Sequence, residues 1–183
     1  MSVVNTIFGS LVCERKRLCL YLAVTIVCFI LCSLTTALCC SHVRLFRDYC
    51  DRVYARFAIV ARGVLSSRHL WFAIFIRNLR VLILDLIPFV GVFFYAASIA
   101  STSLVLGFVV SEEGVNPLIR VLISPHTYIE FASYVLAVAA SLRFFRWWKE
   151  GKRYTYFVYV AISVVLLAVS AFIESLEITS FRP

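Results

Sequence analysis

The chain has 183 residues, 62% of them hydrophobic and only 15% charged, with a formal net charge of +8. Soluble domains run nearer half apolar and a quarter charged, so this composition excludes an ordinary water-soluble domain and indicates a single membrane domain. The excess base flanks apolar runs, which suits membrane topology and anionic lipid better than a nucleic-acid groove, and no nucleic-acid partner is expected.

The first apolar run is Leu18 to Cys40, 23 residues without a charge, preceded by Glu14, Arg15, Lys16 and Arg17. A bilayer core takes about 20 helical residues. The run exceeds the apolar core of a secretory leader and no small-x-small site ends it, so a retained transmembrane helix is expected. All seven cysteines, Cys13, Cys19, Cys28, Cys32, Cys39, Cys40 and Cys50, fall in the first 50 residues. Their odd number and their place in an apolar run argue against a disulfide framework. Cys28 and Cys32 share a helix face, but no His, Asp or Glu stands beside them, so packing is expected rather than a metal site. The Cys39-Cys40 pair is a weak signal for acylation.

Residues 43–62 read differently. Charges at 44, 47, 48, 51, 52, 56 and 62 and apolar residues at 46, 49, 50, 53, 57, 60 and 61 give helical spacing with two faces. The polar face is mostly arginine. Two placements stay open: in the headgroup layer, with Arg44, Arg47, Arg52 and Arg56 toward lipid, or packed on the bundle. Gly63 and Ser66-Ser67 interrupt the pattern, and a second juxtamembrane helix follows over 71–84 with Arg77, Asn78 and Arg80. Asp85 is expected to cap a helix restarting at Leu86, with Pro88 tolerated in its first turn. Asn78 and Asp85 together form a secondary candidate polar site.

Leu86 to Val110 is a second span, 25 residues without a charge. Small residues four apart, Ala97 and Ser101, Ser98 and Thr102, Ser103 and Gly107, allow close helix approach and suggest oligomer faces. A polar break at 111–117 and a short amphipathic piece at 118–123 lead to a third span, 125–148, which ends in RFFRWWKEGKR, an interfacial anchor. A fourth span covers about 154–175 and runs into Glu174 and Glu177. The expected fold is all-α: a polytopic membrane helical bundle with four transmembrane helices, about 18–40, 86–110, 125–148 and 154–175. An amphipathic cytoplasmic helix lies between the first two. With four spans, the side holding residues 41–85 and 143–153 carries 13 of the 18 basic residues, which places it in the cytoplasm and both termini outside. If 86–110 were a broken hairpin, the division would be 10 against 8.

The stretch SPHTYIE, residues 124–130, reads as a helix start, with Ser124 as N-cap and Pro125 at the first helical position. Glu130 then lies ~7–9 Å into the helix, too deep to cap it. His126 and Glu130 share a face. Counted from the turn between the last two spans, Glu174 reaches a similar depth. His126, Glu130 and Glu174 are the candidate intramembrane polar site. Three uses stay open: a structural tie through Tyr128, Ser133 or Tyr134, a proton- or cation-handling site, or a metal site. The last lacks a two-His zinc motif and is not expected. There is no Gly-rich phosphate loop, no G-x-S-x-G and no paired nucleophile, so neither an enzyme nor a cofactor is expected.

Three segments carry a resemblance. SPHTYIEFASYVLAVAASLRF, with its proline-histidine pair and following glutamate, resembles the characteristic segment of the stage II sporulation protein M family of integral membrane proteins. IFIRNLRVLIL, residues 74–84, is similar to the asparagine-bearing helix before that family's preceding span, and AFIESLEIT, residues 171–179, to its terminal ending. The similarity covers about residues 72–180. Thr127 stands where the family usually has glycine, Ser103 and neighbours replace an asparagine-glycine pair, and Ser180 replaces a proline. In spore formers the family's named member scaffolds or recruits partner enzymes of a wall-remodelling machine; the resemblance implies a membrane subunit here and does not imply sporulation. The expected function is a non-enzymatic scaffold or remodelling subunit working through the bilayer, anionic lipid, other membrane or peripheral proteins and further copies of itself. The alternative is a transporter, permease or channel subunit using the His/Glu site.

Overall fold

A backbone in lipid must satisfy its own hydrogen bonds, so long uncharged stretches of Leu, Val, Ala and Phe fold as helices. The structure, a computed structural model, describes residues 3–180, with side chains from Lys16 onward. Cys13, Glu14 and Arg15, named above, fall outside the described side chains. Among the described residues the chain forms seven helices: α1 (Val3–His42), α2 (Arg44–Leu65), α3 (Leu70–Asp85), α4 (Gly91–Glu113), α5 (Asn116–Ile123), α6 (Pro125–Lys149) and α7 (Arg153–Ser180). Four segments are long and apolar enough to cross a membrane: Lys16–His42, Gly91–Glu113, Pro125–Lys149 and Arg153–Ser180. The all-α, multi-span expectation therefore holds.

The segment expected to span from residue 86 is corrected. Residues 86–90 form a turn, with Phe89 at φ 63°, and α4 begins only at Gly91. Pro88 donates no hydrogen bond, and its ring disfavours helix at the residue before it. Asp85 does not cap the next helix. It is the last residue of α3, and the residue before α4 is Val90.

α6 is the most enclosed span, with half of its apolar window buried. It packs antiparallel to α7: Ser170 Oγ donates to the His126 carbonyl (2.9 Å), Ser133 Oγ to the Ser163 carbonyl (2.8 Å), and Trp147 meets Tyr159 (5.0 Å between ring centroids). Small and hydroxyl-bearing side chains on this face let the two backbones approach.

α1 and α4 pack parallel. Thr25 Oγ1 meets Tyr95 Oη (2.7 Å), and Ser103 Oγ donates to the Phe29 carbonyl (3.4 Å). Further on, Gly107 lies so close to α1 that a Cβ there would stand 2.5 Å from the Ser33 carbonyl oxygen. Last, Cys40 packs with Phe108. The stripe that α1 turns inward, Thr25, Phe29, Ser33, Thr36 and Cys40, has helical spacing and is buried throughout. Of the small-residue pairs in α4, Ser103 and Gly107 are thus used within the chain, while Ala97 and Ser101 remain exposed.

Two parallel neighbours demand that the chain between them return to its starting end. α3 is that return. It packs antiparallel to α7, Leu82 meeting Leu167 and the Leu86 carbonyl accepting from Tyr156 Oη (3.2 Å). Its 16 residues cover ~24 Å. α1 and α6 are antiparallel, with Leu18 beside the Trp147 group and Phe29 against Phe131 (5.3 Å).

The bundle therefore has two ends with different contents. One holds residue 18, the 86–90 turn and 143–153. The other holds α2, α5 and both the start of α6 and the end of α7. The expectation that residues 41–85 and 143–153 share a side is corrected: residues 41–65 sit at one end, 143–153 at the other, and 70–85 run between them. The charge count missed this because Arg77 and Arg80 made α3 look too polar to enter the bundle.

Two outcomes follow. In a cysteine-free background, Ser66→Cys and Lys152→Cys should react with an impermeant maleimide from opposite faces of sealed vesicles; labelling from one face contradicts the arrangement. Gly107→Leu should lower unfolding stability in detergent by about 1–3 kcal/mol, because the contact it strikes is backbone rather than a movable side chain.

Candidate functional site

The start of α6 builds the site. Ser124 is extended (φ −69°, ψ 122°) and Pro125 occupies the first turn, as the sequence pattern indicates. The Ser124 hydroxyl does not cap the helix backbone. It donates instead to Glu177 Oε2 and lies 2.7 Å from His126 Nδ1. His126 Nδ1 is itself 2.8 Å from the same Glu177 oxygen. One carboxylate at the end of α7 thus gathers two side chains from the start of α6. Both contacts are satisfied when Nδ1 carries the proton.

One turn deeper, Tyr134 Oη donates to Glu130 Oε1 (2.9 Å). Of the three partners considered for Glu130, this is the one the fold uses; Ser133 bonds across to α7, and Tyr128 bonds the Leu122 carbonyl. Glu130 lies within electrostatic reach of Glu174, His126 and Arg77, and Glu174 within reach of His126, Arg77 and Glu177. His126, Glu130 and Glu174 are therefore brought together at one end of the bundle.

Sequence reasoning missed two members. Glu177 stands three residues after Glu174, one helical turn on, so its spacing could have included it. Arg77 enters from α3 and could not be placed without knowing that α3 joins the bundle. Its guanidinium carbon sits 4.5 Å from the Phe57 ring centroid of α2. A cation–π contact of this kind attracts the guanidinium to the ring face. The group as a whole sets three carboxyls against one guanidinium and one imidazole. It joins α3, α6 and α7.

The secondary pair is not one site. Asn78 is half-buried beside Arg77, whereas Asp85 lies seven residues on, ~10 Å along the axis. Asp85 is fully buried and neither carboxyl oxygen has a hydrogen-bond partner.

Of the two open placements for α2, packing on the bundle is the one observed. Phe46, Cys50, Tyr54 and Phe57 face the bundle: Cys50 is buried with Cys40 and Phe108, and the Tyr54 ring lies 5.5 Å from that of Phe108. Burial and the neighbouring Cys40 push the Cys50 thiol up to about 12, so it packs rather than reacts. Arg47 is held by Glu112 of α4 (2.7 Å). Arg44, Arg52 and Arg56 stay exposed, together with Leu45, Tyr49 and Ile59.

Replacing Glu177 by Ala should leave Ser124 and His126 without their shared acceptor. Unfolding in detergent should then be easier by about 1–3 kcal/mol, with Glu177→Gln intermediate. Unchanged stability for both would mean the α6–α7 tie contributes nothing.

No curated protein and no solved structure matches the chain. The family model described as stage II sporulation protein M matches residues 18–177. The match extends the similarity seen from sequence alone, which began near residue 72, back through α1 and α2. It takes in all four long apolar helices and the polar group at the start of α6, so the chain belongs to the stage II sporulation protein M family of membrane proteins.

Proposed function

We propose that this chain is a non-enzymatic membrane scaffold or remodelling subunit that works through partner proteins and anionic lipid. The observation that carries this reading is α2. Its inner face is fastened to the bundle, while Arg44, Arg52 and Arg56 and the apolar Leu45, Tyr49 and Ile59 remain exposed beside one another. An exposed helix face on which arginines alternate with large apolar side chains suits the level of lipid headgroups. The α2 end is then the cytoplasmic one, where anionic lipid is concentrated. Exposed Ala97 and Ser101 on α4 offer a further copy of the chain a close-packing face. The family resemblance, a subunit that recruits partner enzymes, agrees with such a role.

A second reading, a transport subunit, is supported by the same polar group. Three carboxyls, a histidine and an arginine below the start of α6 are more than a single structural tie requires. In reconstituted vesicles, Glu130→Gln and Glu174→Gln would abolish flux under this reading, whereas under the first they would lower stability or assembly and the wild type would carry none.

The leading reading has a direct test. Adding phosphatidylglycerol to detergent-purified protein should raise its unfolding temperature more than phosphatidylcholine does. Each arginine at an anionic surface is worth about 1 kcal/mol. The combined change Arg44→Gln, Arg52→Gln and Arg56→Gln should therefore remove most of that difference. A lipid response unchanged in the triple variant would remove the support that α2 gives.

A further inference from the structure

Asp85 is the most enclosed charged-type side chain of the described residues, and nothing in the tie between α6 and α7 uses it. It closes α3 where the chain breaks before α4. Its side chain is 0% exposed, and both carboxyl oxygens lack hydrogen-bond partners. The break is fixed around it by other groups. Ser141 of α6 donates to the Ile87 carbonyl (2.7 Å) and Tyr156 of α7 to the Leu86 carbonyl (3.2 Å). Gly91 presses so close that a Cβ would stand 1.9 Å from the Asp85 carbonyl oxygen. The fold thus holds this corner firmly and leaves the carboxyl itself free.

The titratable groups packed toward it are all hydroxyls. Tyr95 comes from α4, tied to Thr25 of α1, and Tyr134 from α6; Tyr156 of α7 engages the neighbouring carbonyl. Of the two cations on its own helix, Arg80 is exposed to the outside, and Arg77 acts on Glu130, Tyr134 and Glu174 instead. An ionised carboxylate here would lack both counter-charge and donors, and would stand at the negative end of the α3 dipole. A proton is the smallest partner that cancels the charge. Tyr134 links the corner to the bundle end: its hydroxyl is bonded to Glu130, which neighbours His126 and Glu174, and His126 touches Glu177.

We propose that Asp85 is a proton-binding site, filled from the α2 end along Glu177, His126, Glu130 and Tyr134. Each group accepts one proton and passes one on, and no bond between heavy atoms changes. Glu177–His126 and Glu130–Tyr134 are hydrogen-bonded, whereas the His126–Glu130 and Tyr134–Asp85 steps have no direct hydrogen bond and need a bridging water or a side-chain rotation. The inference does not depend on either functional reading: a scaffold could hold such a site without net flux.

Infrared spectra of the full-length protein in lipid nanodiscs, made with isotope-labelled aspartate, test this. Asp48 and Asp51 are exposed on α2 and Asp85 is the third aspartate. At neutral pH the wild type should show an isotope-sensitive C=O band of one protonated carboxyl, and Asp85→Asn should lose it. Tyr134→Phe should keep the band and slow its hydrogen–deuterium exchange. The wild-type spectrum stands alone if the variants fold poorly. An aspartate signal that is wholly ionised at neutral pH overturns the proposal. So does a band that persists in Asp85→Asn, or one that sodium chloride abolishes at constant pH.

Discussion

The close parallel approach of α1 and α4 is the constraint on which the rest of the architecture depends. Gly107 lets the α4 backbone settle against Ser33 and Thr36, and the Thr25–Tyr95 and Ser103–Phe29 contacts fix direction and register. A chain cannot join two parallel neighbours with a short loop. It must go back, and the only segment available for that is α3. The polarity of α3 is then a consequence with a use: entering the bundle places Arg77 against the acids of α6 and α7, and leaves Asp85 at the bottom of the return.

That placement accounts for the company the acids keep. Carboxyls at the start of α6 and the end of α7 would repel one another at the edge of a low-dielectric layer. Arg77 from α3, His126 from α6 and the hydroxyls of Ser124 and Tyr134 divide the burden. The arginine is steadied from outside by Phe57, so α2, which also holds the exposed arginines, is mechanically continuous with the polar group. A ligand or lipid that shifts α2 has a short physical route to Arg77 and through it to Glu130 and Glu174.

Much of this was legible in the sequence, for identifiable reasons. Uncharged runs marked four helices because backbone in lipid has one efficient solution. The spacing of arginines over 43–62 marked α2, and Ser-Pro-His marked the start of α6 within a residue. The grouping of His126, Glu130 and Glu174 followed from counting along two antiparallel helices. What failed was what depends on partners. Arg77, Asn78 and Arg80 made α3 look superficial, since composition cannot register a cation balanced by acids elsewhere in the chain. Asp85 before a proline reads as a cap, yet the turn at 86–90 carries the backbone away before it could serve one. The small residues of α4 revealed a close contact but neither its partner nor its direction, and the direction is what puts residues 41–65 and 143–153 at opposite ends.

The parallel packing of α1 and α4 is most directly tested by distances between paired spin labels in nanodiscs. Leu38 is compared with Glu113 and with Phe93, all three exposed. The account expects the Leu38–Glu113 pair to be close and the Leu38–Phe93 pair to be clearly farther apart, since roughly 30 Å of helix separates Phe93 from Glu113. The reverse order, with Leu38 near Phe93, would mean the two helices run antiparallel. α3 would then have no return to make, and the assembly of the polar group around Arg77 would fall with it.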